Sequence, residues 1–342
     1  MNLVGNCQTT AMGILPHRDV RTALDLALSM DIPFWPQLPK VSFYEDMYVQ
    51  VSEHFPGIRL DPTERRVSVC HEAFYEELPE LVARWEDIEY FALSPQYSAA
   101  FRSFLDEDLA PYTHVRGQLV GPVSFGLSIA NEDRRPIIYD DEMRSFLFPF
   151  VQKKLVAQLE ELKKHHPSPL VWVDEPGLEM LSSAFTGYTT ERAKADYAEF
   201  LEDVPRPRGV HLCGNPDWSF LLDLELDVLS VDAHAQGEVF VRYLAGIERH
   251  LDRGGILSWG IIPTLTEEME IENVCSIVDR LESMWNYLDQ KGLDRDRILR
   301  QSWLAPARCC LINQDGDRTV ERSFSLLRQV SEEVRGRYAL HD

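Results

Sequence analysis

Long apolar runs are missing from this 342-residue chain. The longest stretches, such as 137–139 and 146–151, fall far short of the roughly 20 residues a bilayer-spanning helix needs. The opening Met1-Asn-Leu-Val-Gly-Asn-Cys7 has no basic segment followed by an apolar one, so no secretory signal is expected. Cysteine is sparse as well. Cys7, Cys70, Cys213, Cys275, Cys309 and Cys310 are unevenly spaced, which argues against a disulfide scaffold and for reduced thiols in a cytoplasmic protein. Positive charge is the third shortage: 34 lysines and arginines face 56 aspartates and glutamates, leaving a net charge of -22. A field of that sign repels phosphate backbones and anionic lipid heads, so neither nucleic acid nor a membrane is an expected partner. Repeats, low-complexity tracts and long flexible linkers are also absent.

What is present is a folded-protein composition, 44% apolar and 26% charged. Short β-branched or aromatic runs alternate with longer helical patterns. Eight candidate strands fall at 10–14, 32–35, 117–121, 170–174, 209–213, 228–232, 255–260 and 302–305. Helical spacing of apolar residues marks 19–29, 141–164, 190–201, 239–251, 267–290 and 319–334. Such alternation predicts an α/β fold with a parallel sheet, and eight strands predict closure into a single (β/α)8 TIM barrel over residues 1–342; a doubly wound open sheet is the competing arrangement. The stretch 42–110 is too long for one crossover. It is expected to be a helical excursion of the barrel, with helices near 70–83 and 97–106.

In a parallel barrel the chemistry sits at the carboxyl ends of the strands, and three such ends carry reactive groups. Val210-His211-Leu212-Cys213 puts an imidazole and a thiol two residues apart, on one face of a strand, and both are zinc donors. The competing reading is a hydrogen-bonded core histidine beside a small apolar cysteine. Leu304-Ala-Pro-Ala-Arg-Cys309-Cys310 ends the last strand with two thiols whose side chains diverge, so only one is expected to serve an ion. Val173-Asp174-Glu175-Pro176 places two acids after an apolar strand, where burial without partners would be costly; capping of the next helix is the alternative.

These residues resemble motifs of the superfamily that joins cobalamin-independent methionine synthase, uroporphyrinogen decarboxylase and the corrinoid-dependent thiol methyltransferases. His211 and Cys213 match the zinc motif of the methionine synthases. Trp303-Leu-Ala-Pro-Ala-Arg-Cys309 is similar to their late Trp-Val-Asn-Pro-Asp-Cys, which supplies a further zinc cysteine. Val173-Asp174-Glu175-Pro176 is similar to Ile-Asp-Glu-Pro, whose aspartate holds the homocysteine amino group. Gly121-Pro122-Val123-Ser124 resembles a shared Gly-Pro-Val-Thr turn, and Met12-Gly13-Ile14-Leu15-Pro16 resembles the opening Ile-Gly-Ser-Phe-Pro.

The resemblance implies a methyltransferase acting on a homocysteine-like thiol, as in methionine biosynthesis. It implies Zn2+ on His211, Cys213 and Cys309, catalytic use of Asp174, and substrate contacts from Met12, Asp174 and Glu175. Four departures shape that expectation. Ile14 stands where the family has a serine that helps hold the amino-acid carboxylate. One extra residue precedes the cysteines, so Cys309 and Cys310 compete as ligand; Cys310-Leu311 stands where the family has Gly-Leu, which favours Cys309. Asp232 is the nearest analogue of the family's glutamate ligand. Only one barrel is present where the full methionine synthases have two, which points to a methyl-corrinoid (methylcobalamin, or a corrinoid protein as partner) rather than methyltetrahydrofolate as donor. The alternatives are a uroporphyrinogen-decarboxylase-like enzyme, disfavoured by the lack of an early arginine cluster, and a non-catalytic barrel that binds zinc or a corrinoid protein.

Overall fold

Strand β8 (Ile256–Ile262) is buried along its whole length, the mark of a parallel strand covered on both faces. Its neighbours are alike. The computed structural model describes residues 3–182, 187–309 and 313–340. Within them β1 (Gln8–Thr9), β4 (Val115–Val120), β5 (Pro169–Asp174), β6 (Arg208–Leu212), β7 (Val228–Val231), β8 and β9 (Ser302–Pro306) form a seven-stranded parallel sheet in the order β1-β9-β8-β7-β6-β5-β4. β2 (Ile58–Asp61) and β3 (Arg66–Val69) pair separately as an antiparallel hairpin.

The sheet is curled, and its two faces do different work. Leu257, Trp259 and Ile261 of β8 join the large cluster shared with the surrounding helices. The alternate residue Ile256 joins a smaller inner cluster with Met12, Ile32, Leu170, Trp172, Val228, Trp303 and Ala305. Residues drawn from β5, β7, β8 and β9 meet there because side chains two apart share a face.

The eighth expected strand, 32–35, takes a different form. Ile32 N donates to Thr9 O at 3.0 Å, Arg116 N donates to Pro33 O at 2.9 Å, and Phe34 makes a parallel bridge with Arg116. The span is thus bonded beside β1 on one side and β4 on the other, as isolated contacts rather than a ladder. Pro33 and Pro36 supply the reason, since neither has an N–H to donate. The expected strand at 10–14 is likewise shorter and earlier, at Gln8–Thr9, with one further bridge from Ile14 to Gln37.

Most helices fall where apolar periodicity places them, including Val20–Leu28, Asp141–Lys163, Thr190–Glu202 and Arg318–Tyr338. Two expected helices divide. The segment 267–290 breaks into Thr266–Ile271 and Val274–Gln290, because Asn273 starts the second with a capping box to Ser276. The segment 239–251 becomes Ala233–Phe240 and Leu244–Asp252. The excursion at 42–110 contains the expected helices, as His71–Ala83 and Ala99–Leu105, but is not purely helical: the β2–β3 hairpin lies within it. Asp61 closes that hairpin by accepting from Thr63 N and Glu64 N. Among the described residues no helix is long and apolar enough to cross a membrane.

Candidate functional site

Asp174, the last residue of β5, lies in register with His211 of β6, its neighbour in the sheet. Adjacent strands are about 4.8 Å apart, so the two side chains emerge side by side. Cys213 follows two residues beyond His211, and Asp232 follows the end of β7. Cys309 comes from beyond β9, two strands further round the curl than β7. The thiol of Cys213 is influenced by Cys309, and that of Cys309 by Asp174. The structure therefore brings Asp174, His211, Cys213 and Cys309 to one end of the sheet. Cys310 lies outside the described residues.

The groups are held in unusual states. Both carboxylate oxygens of Asp174 are buried and have no hydrogen-bond partner among the described residues. Burial pushes its pKa up to about 7, against the lowering pull of Arg116. His211 shares a hydrogen bond of 3.0 Å between Nδ1 and Ser230 Oγ, while its Nε2 is buried and unpartnered. Burial, reinforced by the charge of Arg116, pushes this imidazole down to about 3, so it is neutral; in the tautomer that donates from Nδ1 to Ser230 its Nε2 carries the lone pair. Burial pushes the Cys213 thiol up to about 12, with Cys309, Asp174 and Asp232 adding to the rise and Arg308 opposing it. Cys309 is raised mainly by burial too. Without a cation beside them, both thiols keep their protons.

Arg116 was not expected from the sequence. It is fully buried on β4 with its guanidinium carbon 3.6 Å from the centre of the Trp172 ring. It donates to Ala11 O, and its Nη1 has no hydrogen-bond partner among the described residues. Burial lowers its pKa to about 9, with Asp174 pulling the other way. Gln118 Oε1, Trp172 Nε1 and Ser258 Oγ are further buried polar atoms without partners there. Native interiors leave few such groups unpaired, and these occupy inward positions of β4, β5 and β8. The signal lay in the alternation Arg116-Gly-Gln118 inside an otherwise apolar strand, whose expected start at 117 fell two residues late and left Arg116 out.

The other expected residues have different surroundings. The Glu175 carboxylate accepts from Val123 N at 3.1 Å and Ser124 N at 2.7 Å, and from the hydroxyls of Ser124 and Tyr197. It ties the end of β5 to the helix Pro122–Ser128. A Cβ at Gly121 would lie 2.1 Å from Glu175 Oε1, so only glycine fits that turn. Met12 is packed in the inner apolar cluster. Asp232 caps the helix Ala233–Phe240, accepting from Ala235 N at 2.9 Å, and faces Arg308 Nε at 3.7 Å. Arg308 also reaches Glu268 Oε1 at 3.6 Å. A groove of about 470 Å³ between the helices Asp141–Lys163 and Thr190–Glu202 shares none of these residues.

No protein-family model matches the chain, and neither does any curated protein. Solved structures do. A B12-independent methionine synthase from Shewanella sp. W3-18-1, in complex with selenomethionine, superposes with a TM-score of 0.58 at 14% identity, over 94% of this chain and 89% of that one. A methyltransferase from Methanosarcina mazei gives 0.56 at 15% identity, over 97% and 94%. A putative vitamin-B12-independent methionine synthase from Listeria monocytogenes gives 0.53 at 12%, over 92% and 85%. This chain shares their fold. At such identities the likeness speaks for the fold alone, and the chemistry must come from the site.

Among the described residues, no group of three or more His, Cys, Asp or Glu side chains is arranged as a ready metal cluster. The donor types themselves suit zinc: an imidazole whose buried Nε2 has no partner among the described residues, and two thiols of which Cys309 raises the pKa of Cys213. His211 is also oriented through its second nitrogen by the Ser230 hydroxyl.

Proposed function

We propose that the chain is a methyltransferase that carries a methyl group to the sulfur of a thiol, on a TIM-barrel scaffold, with His211, Cys213 and Cys309 holding Zn2+. The observation that carries this reading is the meeting of Asp174, His211, Cys213 and Cys309 at one end of the curled sheet. The methionine synthase and methyltransferase neighbours support it by sharing the fold.

Zinc, when bound, would hold the acceptor sulfur as a thiolate at neutral pH. The protein's own groups do the rest. Asp174 sits beside His211 with two unused oxygens, suited to the ammonium group of a homocysteine-like thiol. A cation there would hold the carboxylate ionised despite its burial. Arg116 opposes the burial effect at Asp174 and adds to the burial that keeps His211 unprotonated. Glu175 acts at one remove, tying the end of β5, where Asp174 sits, to the start of the helix Pro122–Ser128. Methyl transfer between held partners depends chiefly on alignment, which contributes roughly 7–11 kcal/mol in well-oriented systems.

The donor in this reading is a methyl-corrinoid, free or on a separate protein. A chain of net charge -22 repels an anionic polyglutamyl folate, which favours the corrinoid. The test is a matched assay in which one thiol is offered methylcobalamin and, separately, methyltetrahydrofolate. Turnover with the corrinoid alone supports the reading. Efficient transfer from folate overturns the donor assignment, and bound zinc with no transfer from either donor favours a non-catalytic barrel.

A further inference from the structure

Two connections leave the carboxyl ends of β4 and β5, the side that carries Asp174, and enter the helices Asp141–Lys163 and Thr190–Glu202. Between them lies a groove of about 320 Å³ whose lining includes Arg135, Tyr139, Asp141, Arg144, Tyr188 and Arg192. Three guanidiniums and a single carboxylate line it, in a chain whose net charge is -22. That local excess runs against the average surface.

The arginines are arranged around one acid. Arg144 Nη1 and Arg192 Nη2 both donate to the same oxygen of Asp141, each at 2.8 Å. The Asp141 side chain is 73% exposed, so it is free to swing out into water. The hydrogen bond from Arg144, then the charges of Arg144 and Arg192, hold its pKa below the usual carboxylate value. Arg144 is buried and anchored from beneath by Asp196, 3.3 Å from Nε, which also accepts from the Tyr188 hydroxyl at 2.7 Å. Arg135 donates to the Tyr139 carbonyl at 2.8 Å and has no carboxylate within ion-pair distance among the described residues.

We propose that this groove binds a phosphate monoester group carried by a small molecule, with Asp141 standing in for the anion when the ligand is away. Guanidinium forks from three chain segments suit a tetrahedral ion with three terminal oxygens, whereas a planar carboxylate matches one fork. The same chemistry on a lipid headgroup is disfavoured, because an anionic membrane meets the repulsive field of the whole chain. The inference stands on the groove and goes beyond the thiol-methylation reading, which can fail without it.

The test is calorimetric titration of the full chain with inorganic phosphate at constant ionic strength. Saturable one-site binding is expected. Arg135→Gln combined with Arg192→Gln weakens it at least tenfold, and Arg135→Gln alone, at an exposed position, does so in part without affecting folding. Asp141→Asn tightens binding several-fold, because the internal competitor is gone. Absence of saturable binding, equal binding by the arginine variants, no tightening in Asp141→Asn, or succinate binding as strongly as phosphate would each overturn the proposal. So would attachment to phosphatidic acid vesicles that free phosphate does not compete away.

Discussion

Arg116 lies with its guanidinium carbon 3.6 Å from the centre of the Trp172 ring, and that ring in turn stacks at 26° on the imidazole of His211, with centroids 6.0 Å apart. A permanent cation is thereby stored inside the curl of the sheet, next to the groups assigned to chemistry. Replacing it by Met keeps the bulk and removes the charge. Asp174 then moves further above 7 and His211 rises from about 3, because Arg116 lowers both. Stability is expected to hold or improve, since apolar replacement of a poorly compensated buried charge is often neutral or stabilising. NMR titration of labelled aspartate and histidine side chains in Arg116→Met reads both shifts, and unmoved values would show that the guanidinium does not govern the site.

Purified wild-type chain is expected to hold about one zinc, and His211→Ala, Cys213→Ala and Cys309→Ala each lose most of it. A structural zinc contributes on the order of 10 kcal/mol in small sites, so a missing donor shows plainly in elemental analysis. Equal zinc in wild type and Cys213→Ala would sink the assignment of that thiol.

Asp174→Asn separates acceptor binding from metal binding. The carboxylate's contact with an ammonium is worth roughly 1.5–3 kcal/mol, so acceptor affinity falls about ten- to a hundredfold while zinc content stays level. Should affinity for the amino thiol survive the substitution, Asp174 does not hold the amine.

Acid stability carries a separate signature. His250 is fully buried, bonded through Nε2 to Ile256 O at 3.1 Å, and burial pushes it from 6.5 down to about 4. Its folded pKa lies below the unfolded value, so the stability tied to its neutral form is complete above pH 6.5 and is lost as pH falls from there toward 4. Asp174 runs the opposite way, its contribution declining as pH rises from about 4 to 7. Urea unfolding of wild type and His250→Gln at stepped pH isolates the first effect. The gap between them should be flat above pH 6.5 and close by up to about 3 kcal/mol below it. A gap independent of pH would show that His250 titrates normally.

The sequence exposed the parts of the molecule that depend on local pattern. β5 to β9 were legible because each is a short apolar run, and the inward groups His211, Cys213 and Asp174 because they interrupt those runs at strand ends. Residues 32–35 read as a strand, since apolar side chains hid the missing donors of Pro33 and the following Pro36. The hairpin at 58–69 was overlooked because each arm has only four residues, half in contact with water. Glu175 read as a ligand-facing acid, since nothing local reveals that Val123, Ser124 and Tyr197 would occupy its oxygens. Arg116 lay hidden for a related reason: its value comes from Trp172 and Asp174, more than fifty residues away in the chain.

The pairing of β1 with β9 has a consequence for how the molecule is made. Gln8 and Thr9 lie in register with Trp303 and Leu304, so β1 has no ladder partner until β9, the last strand of the sheet in chain order, has been synthesised. Such distant contacts slow folding, because loop closure must be accomplished before the contact stabilises anything. A nascent chain stopped short of residue 302 would leave both β1 and β8 with open edges, and open edges invite pairing with other chains. Termination before β9 therefore produces an aggregation-prone polypeptide rather than a slightly trimmed protein.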